Sequence, residues 1–192
     1  HGATRADGTA YLDWLTWSGQ PKVKFDRPSH KGTRWLGAWV QSLTAVYTRR
    51  GPHTYNIVQN QGTGLLIQGT REWQDYVFHA TLTPHLAQSF GIAARVQGLR
   101  RYYALRLARG GKAQLVRELD GTHVLAEASC DWELYASYRL ELEVKGSTLV
   151  GRVNGETLFQ VEDESPLTGG AIALLVEEGR VGGNKVEVEP VG

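Results

Sequence analysis

Phe90-Gly91-Ile92-Ala93-Ala94-Arg95-Val96-Gln97, then Gly98-Leu99-Arg100-Arg101, then Tyr102-Tyr103-Ala104-Leu105-Arg106-Leu107-Ala108, is the stretch that decides how this chain folds. Each flank alternates with a period of two, the repeat of a strand whose successive side chains point to opposite faces. The four residues between the flanks keep the two alternations in phase, so the stretch reads as an antiparallel hairpin. Pairing Gln97 with Tyr102 sets Arg95 opposite Ala104 and Ala93 opposite Arg106, while Val96 meets Tyr103 and Ala94 meets Leu105. One face is then apolar; the other carries Arg, Gln, Tyr and small residues.

The same period runs on in both directions. Upstream, Gly64 to Gln68 is a strand closed by Gly69-Thr70. Tyr76 to Leu82 is the next, with Tyr76, Phe78, Ala80 and Leu82 on one face and Val77, His79 and Thr81 on the other. Downstream come Lys112 to Leu119, Thr122 to Ala128, Tyr138 to Val144, Thr148 to Val153, Glu156 to Val161, Gly170 to Val176 and Lys185 to Glu189. Asp120-Gly121 and Asn154-Gly155 fall between runs as hairpin turns, because Asn and Asp tolerate and Gly permits the positive φ that tight turns need. Neighbouring strands with short connections predict an all-β fold, two antiparallel sheets packed as a sandwich, in one domain over residues 1–192. The segment before Asn56 is ambiguous: Trp35, Trp39, Leu43 and Val46/Tyr47 recur at helical spacing among β-formers, so strand and short helix both stay open. Tyr11 to Trp17 fits an edge strand or a strap across the sandwich.

Composition narrows the partners. With Lys+Arg 21 against Asp+Glu 20, the net charge of +1 supplies no field to hold nucleic-acid phosphates or an anionic bilayer. No apolar run is long enough to span a bilayer, and the start shows no signal-peptide pattern. Beginning at His1 and lacking Met, the chain reads as a piece of something longer. Cys130 is alone, so no internal disulfide forms; that favours a reducing compartment while leaving secretion open.

The usual catalytic signatures are absent: no nucleophile elbow, P-loop, dinucleotide glycine fingerprint or zinc-binding HExxH. The histidines are scattered without ligand spacing, although an oxygen-ligand structural calcium site stays open. Glycoside hydrolysis is the enzymatic rival, because sandwiches can carry two carboxylates across a groove, with Glu177 and Glu118 as candidates. Glu162-Asp163-Glu164 reads instead as a solvated turn before Ser165-Pro166. The stronger feature is the polar hairpin face. Arg95, opposite a small Ala104 and flanked by Tyr102 and Arg106, would stand in a shallow depression whose floor Gly91 and Ala93 keep low. A ring face for the C–H side of a pyranose and forked N–H groups for paired hydroxyls or a carboxylate are sugar-binding chemistry. A solvated sheet face with arginines lying along their neighbours is the plain alternative. Gln68, Trp73 and His79 are candidate neighbours of that site.

Three stretches, Gln59 to Tyr76, Leu82 to Leu105 and Ala171 to Val181, resemble the concanavalin-like or laminin-G-like sandwich appended C-terminally to bacterial proteins of the ADP-ribosylglycohydrolase family. The likeness also takes in Leu15 to Gly19 and Arg34 to Val40. The resemblance implies a jelly-roll sandwich whose concave sheet binds carbohydrate, beside a covalently linked helical hydrolase domain. The acidic metal-binding signatures and long helices of that hydrolase have no counterpart here, so its activity does not carry over. The expected function is a non-catalytic glycan-binding module without a catalytic cofactor. The alternatives are a hydrolase or lyase of the same architecture, and an interaction module packing on a partner domain through Trp14, Trp17 or Trp35.

Overall fold

The computed structural model describes Trp14 and residues 20–26, 34–48 and 51–191. The elements are β1 (Val23–Lys24), a 3-10 turn (Arg34–Ala38), β2 (Val40–Gln41), β3 (Ala45–Tyr47), β4 (Tyr55–Gln68), β5 (Tyr76–Leu86), β6 (Ser89–Gly98) and β7 (Arg101–Ala108). They continue with β8 (Lys112–Leu119), β9 (Thr122–Ser129), β10 (Tyr138–Lys145), β11 (Thr148–Val153), β12 (Glu156–Glu162) and β13 (Ala171–Pro190). Every strand pairing is antiparallel, and the described residues contain no α-helix. The ambiguous segment resolves into both alternatives, a single 3-10 turn around Trp35 followed by two very short strands.

Two long bent strands join the layers. The first half of β13 pairs with β6 and the second half with β5, the change of partner falling between Glu177 and Arg180, while β4 follows β13 along most of its length and slips in register at Glu177–Gly179. A front sheet results, in the order β2, β4, β13, β6, β7, β8, β9, facing a back sheet of β3, β4, β13, β5, β10, β11 and β12. The fold is thus an antiparallel two-sheet jelly-roll sandwich. The two runs expected at Gly170–Val176 and Lys185–Glu189 are one strand that turns the corner.

The core lies between the layers. Phe90, Ile92, Tyr103, Leu105, Leu115, Leu174 and Val176 from the front meet Tyr76, Phe78, Leu82, Tyr138, Leu140, Leu142 and Leu149 from the back, all buried. Burial of each such side chain is worth roughly 1.5–3 kcal/mol. The predicted in–out parity of β5 and β10 is the observed one, because a strand with one buried face fixes its own register.

The central hairpin departs from expectation. Gly98 pairs Arg101, so the predicted register holds beside the turn, but the next pairs are Ala94 with Tyr103, Ala93 with Ala104 and Gly91 with Arg106. Arg95–Gln97 form a bulge, with Arg95 at a φ of 49°. The slip amounts to two residues, which preserves the faces of Ala93 and Arg106 while exchanging two side chains: Val96 joins the outer cluster and Arg95 turns inward.

Candidate functional site

Arg95 is 2% exposed, so the hollow it was expected to line does not exist. Its guanidinium is a structural tie. Nε donates to Gln74 O at 3.1 Å, Nη1 to Gly146 O and Leu167 O at 2.7 Å each, and Nη2 to Asp75 Oδ1 at 3.1 Å. Its backbone N–H donates to the buried Tyr76 hydroxyl at 2.6 Å. Three connections, those before β5, between β10 and β11, and before β13, are thereby held by one side chain. A buried cation persists only where acceptors replace its water, and these do.

The other five predicted residues divide among three places. Trp73 and Gln68 lie near the same seam; Trp73 packs on Gly69 and edge-on to Tyr76 at 6.2 Å, and Gln68 Oε1 accepts the Gly69 N–H at 2.8 Å. His79 sits on the outer face of the back sheet, bonded to Glu187 at 3.0 Å. Tyr102 and Arg106 alone share the outer face of the front sheet.

That face has a readable layout. Register places Thr63, Glu177, Ser89, Ala108 and Lys112 in one row, then Leu65, Leu175, Gly91, Arg106, Gln114 and Glu127, then Ile67, Ala173, Ala93, Ala104 and Val116, then Tyr102 beside Glu118. The last two rows form an apolar cluster: Ala93, Ala104 and Ala173 are inaccessible and Tyr102 is 4% exposed. Burial, with the nearby Glu118 and Glu177 charges adding to it against Arg106, pushes the Tyr102 hydroxyl up to about 12. Tyr102 is therefore closed as a stacking platform. The first two rows carry the polar groups of this face, although Leu65 and Leu175 of the second belong to the buried apolar cluster: Ser89 donates to Glu177 at 2.6 Å, Arg106 Nε to Gln114 at 2.9 Å, and Gln114 and Lys112 both donate to Glu127.

Glu118 and Glu177 do not form a hydrolytic pair. They lie three strands and six residues apart on the sheet, on the order of 20 Å between backbones, against about 5–9.5 Å between catalytic carboxyls. Glu118 instead accepts from Thr122 at 2.7 Å. Asp163 corrects another reading. Rather than a solvated turn it is buried, accepting from Tyr103 at 2.6 Å, Arg117 at 2.8 Å and Ser165 N–H at 3.0 Å. Burial pushes its carboxyl up, but these donors and the Arg117 charge outweigh that and hold it below its ordinary value.

Where β4 and β13 turn the corner, a pocket of about 410 Å³ opens. Val58, Gln59 and Asn60 of β4, Leu86 and Gln88 of the turn into β6, Arg109 after β7, and Glu178 to Arg180 of β13 line it. A bulge makes it: Glu178 takes a φ of 43°, and a Cβ on Gly179 would collide with the Leu86 carbonyl, so the two turns touch only through glycine. The polar front rows run directly into it, since Gln88 and Arg109 follow Ser89 and Ala108 at the strand ends. Gln88 N–H donates to Glu177 O at 2.9 Å, and Arg109 N–H to Gln88 O at 2.9 Å. Gln59 is held by Thr44 and Gln61, while Leu86 is 54% exposed. Sequence periodicity missed this site because its residues come from two turns, the bend of β4 and a bulge.

A second pocket, about 450 Å³, lies on the back sheet between His79, Thr81, Arg139, Lys185 and Glu187. His79, Glu187 and Glu189 bring ligand atoms within 4.8 Å of one another. One nitrogen and two carboxylates are not the oxygen-rich set calcium takes. A transition metal on His79 Nε2 would fix the proton on Nδ1, which is buried without an acceptor. The group fits an ion pair better: hydrogen bonds from His79 and Lys24 hold the Glu187 carboxyl below its ordinary value. Of the indoles proposed as contact points, Trp14 is 76% exposed, Trp35 packs edge-on to Tyr55 at 5.6 Å, and Trp17 lies outside the described residues.

No protein-family model matches this sequence, and no curated protein matches it. Solved structures do match. The carbohydrate binding module CBM66 from Bacillus subtilis superposes with a TM-score of 0.71 at 13% identity, over 79% of this chain and 95% of that one. A protein of unknown function with galectin-like fold, also from Bacillus subtilis, gives 0.62 at 13% identity over 83% and 92%. Domain 4 of AbnA, a GH43 extracellular arabinanase from Geobacillus stearothermophilus solved with arabinotriose, gives 0.57 at 10% identity over 79% and 82%. At such identities the likeness establishes the sandwich fold.

Proposed function

We propose that this chain is a non-catalytic glycan-binding module whose sugar enters the pocket at the bend of β4 and β13, with the polar rows of the front sheet as its approach. The observation that carries the reading is the pocket itself. It is an open concavity lined by guanidinium, amide and carboxylate groups, beside a small apolar patch at Val58 and Leu86. Forked donors suit vicinal hydroxyls, and the patch suits the C–H face of a ring. The structural neighbours add support: two are described as a carbohydrate binding module and as a hydrolase domain in complex with arabinotriose. Arg106 extends the site across the sheet; Arg95 and Tyr102, buried at the far end of β6 and β7, make no contact in it.

The resemblance to modules appended to ADP-ribosylglycohydrolase-family proteins extends the reading to a covalently linked catalytic partner, in line with a neighbour that is itself one domain of a larger enzyme. Glycan-array screening followed by calorimetry tests the core proposal. Arg180→Ala and Gln88→Ala should each weaken a measured affinity, with Arg106→Ala weakening it less. A glycan bound equally well by all three variants removes the pocket from consideration.

A further inference from the structure

The bend pocket has an unbalanced charge and no aromatic platform. Its lining carries two guanidinium groups, Arg109 and Arg180, against one carboxylate, Glu178. Among the described residues neither arginine joins an ion pair, whereas Arg95, Arg117, Arg139 and Arg152 each do. Arg109 uses only Nε, donating to Ala87 O at 3.1 Å, and Arg180 has a single long contact, Nη2 to Asn56 Oδ1 at 3.5 Å. Among the described residues both terminal nitrogens of Arg109 and Nη1 of Arg180 therefore have no protein acceptor, and both residues line the cavity. Glu178 is directed elsewhere, its Oε1 accepting the Gly62 N–H at 3.4 Å. The positive field is felt beyond the lining: His53 and His85 are held below their ordinary value by burial first and by Arg180 second.

No Trp, Tyr or Phe lines this pocket, so a neutral ring would find no π face to stack on and only the Val58 and Leu86 patch to rest against. A carboxylate would supply what is missing, because bidentate guanidinium–carboxylate bonds are about twice as strong as neutral ones and match in geometry. We infer that the bend pocket selects a glycan bearing a carboxylate, a sugar of uronic-acid type, with Arg109 and Arg180 as its anion-binding groups and Gln88 and Asn60 left for ring hydroxyls. This rests on the glycan-binding reading and narrows its ligand class.

Calorimetry with trigalacturonate, its fully methyl-esterified counterpart, galactotriose and sodium acetate separates the two claims. The expected result is trigalacturonate binding at least about tenfold tighter than the ester or galactotriose. Binding should weaken as ionic strength rises and fall at least about tenfold in Arg180→Ala and in Arg109→Ala. Arg180→Lys should recover part of the loss, since charge survives but the fork does not. Equal binding of acid and ester, both lost in Arg180→Ala, overturns the acidic-sugar inference and leaves the glycan site standing. Acetate matching trigalacturonate overturns it too, since the pocket would then be an anion hole indifferent to sugar. Affinity for any of the sugars that both arginine variants retain defeats inference and site together, and so does the absence of binding to all three.

Discussion

Two of the bulges in this sandwich, in β6 and in β13, do opposite things with the same kind of residue. In β6 the extra residues around Arg95 turn an arginine into the seam, where three carbonyls and one carboxylate meet it; in β13 the bulge at Glu178 bends the strand between sheets and leaves Arg180 at a pocket mouth with one long contact. Both residues at the kinks carry positive φ, 49° and 43°. The local geometry is shared, so the outcome is set by what lies beyond it. Three loop carbonyls converge beyond Arg95, while only the turn at Leu86 and the β4 strand at Gln59 stand beyond Glu178. Saturated polar groups hold a fold together; unsaturated ones in a concavity are available to a ligand.

The largest effect should come from breaking the saturated bulge. Arg95→Met leaves the carbonyls of Gln74, Gly146 and Leu167 without their donor and strands part of Asp75, and loss of one partner from a buried ionic group costs about 3–5 kcal/mol. Urea unfolding monitored by Trp fluorescence should show the midpoint collapse, while the fraction that remains folded binds glycan as before. A marginal change in midpoint would mean that the seam is not organised by this side chain.

Gly179→Ala comes next, aimed at the other bulge. The new methyl meets the Leu86 carbonyl and the Ala87 Cα, both backbone, so the turns must separate. Such overpacking costs about 1–3 kcal/mol, and the pocket should deform with it. Thermal denaturation and calorimetry on one preparation check both halves, and intact affinity with lowered stability would show that the pocket does not depend on this close approach.

A third effect, smaller at neutral pH, concerns the buried acid beside the seam. Asp163 is held below its ordinary value of 3.8, so it contributes stability above that value, and the contribution is lost as pH falls through the lower folded pKa. Asp163→Asn should reduce stability near neutrality and flatten part of the acid limb; Glu187, held low by His79 and Lys24, keeps the rest of the slope. An acid limb as steep in the variant as in the parent would contradict the assignment.

These differences also mark what the sequence makes legible. Alternation specifies β5, β8, β10 and β11, because each has one face in the core and a one-residue slip would expose it. The in–out parity of Arg106 and Ala93 survives as well, since the β6 slip is an even number of residues. A bulge, however, has no periodic signature. Arg95 continues the alternation by position, and only its carbonyl cage, assembled from loops 20 to 72 residues away, says that it points inward. The pocket is hidden for the same reason: Gln88, Arg109 and Arg180 sit at strand ends or past a bulge, where no repeat relates them. One glycine marks each bulge faintly, Gly170 against the Arg95–Val96 backbone and Gly179 against Leu86 at the pocket, for each has backbone where a Cβ would be.

The smallest expected effect is the sharpest comparison. Arg180→Ala removes the same functional group as Arg95→Met, from the same kind of bulge, yet its stability should move by no more than about 0.5 kcal/mol, as for surface positions lacking a buried partner. Arg180 is exposed, joins no ion pair among the described residues, and leaves behind only an Asn56 amide oxygen that it reached at 3.5 Å. It also raises the energy of protonating His53 and His85, so its removal should let both titrate closer to their ordinary 6.5, which NMR of the imidazole protons reads directly. A destabilisation approaching that of Arg95→Met would mean that Arg180 is a second structural tie, and the distinction between a saturated and an available arginine would then fail at the residue on which glycan recognition depends.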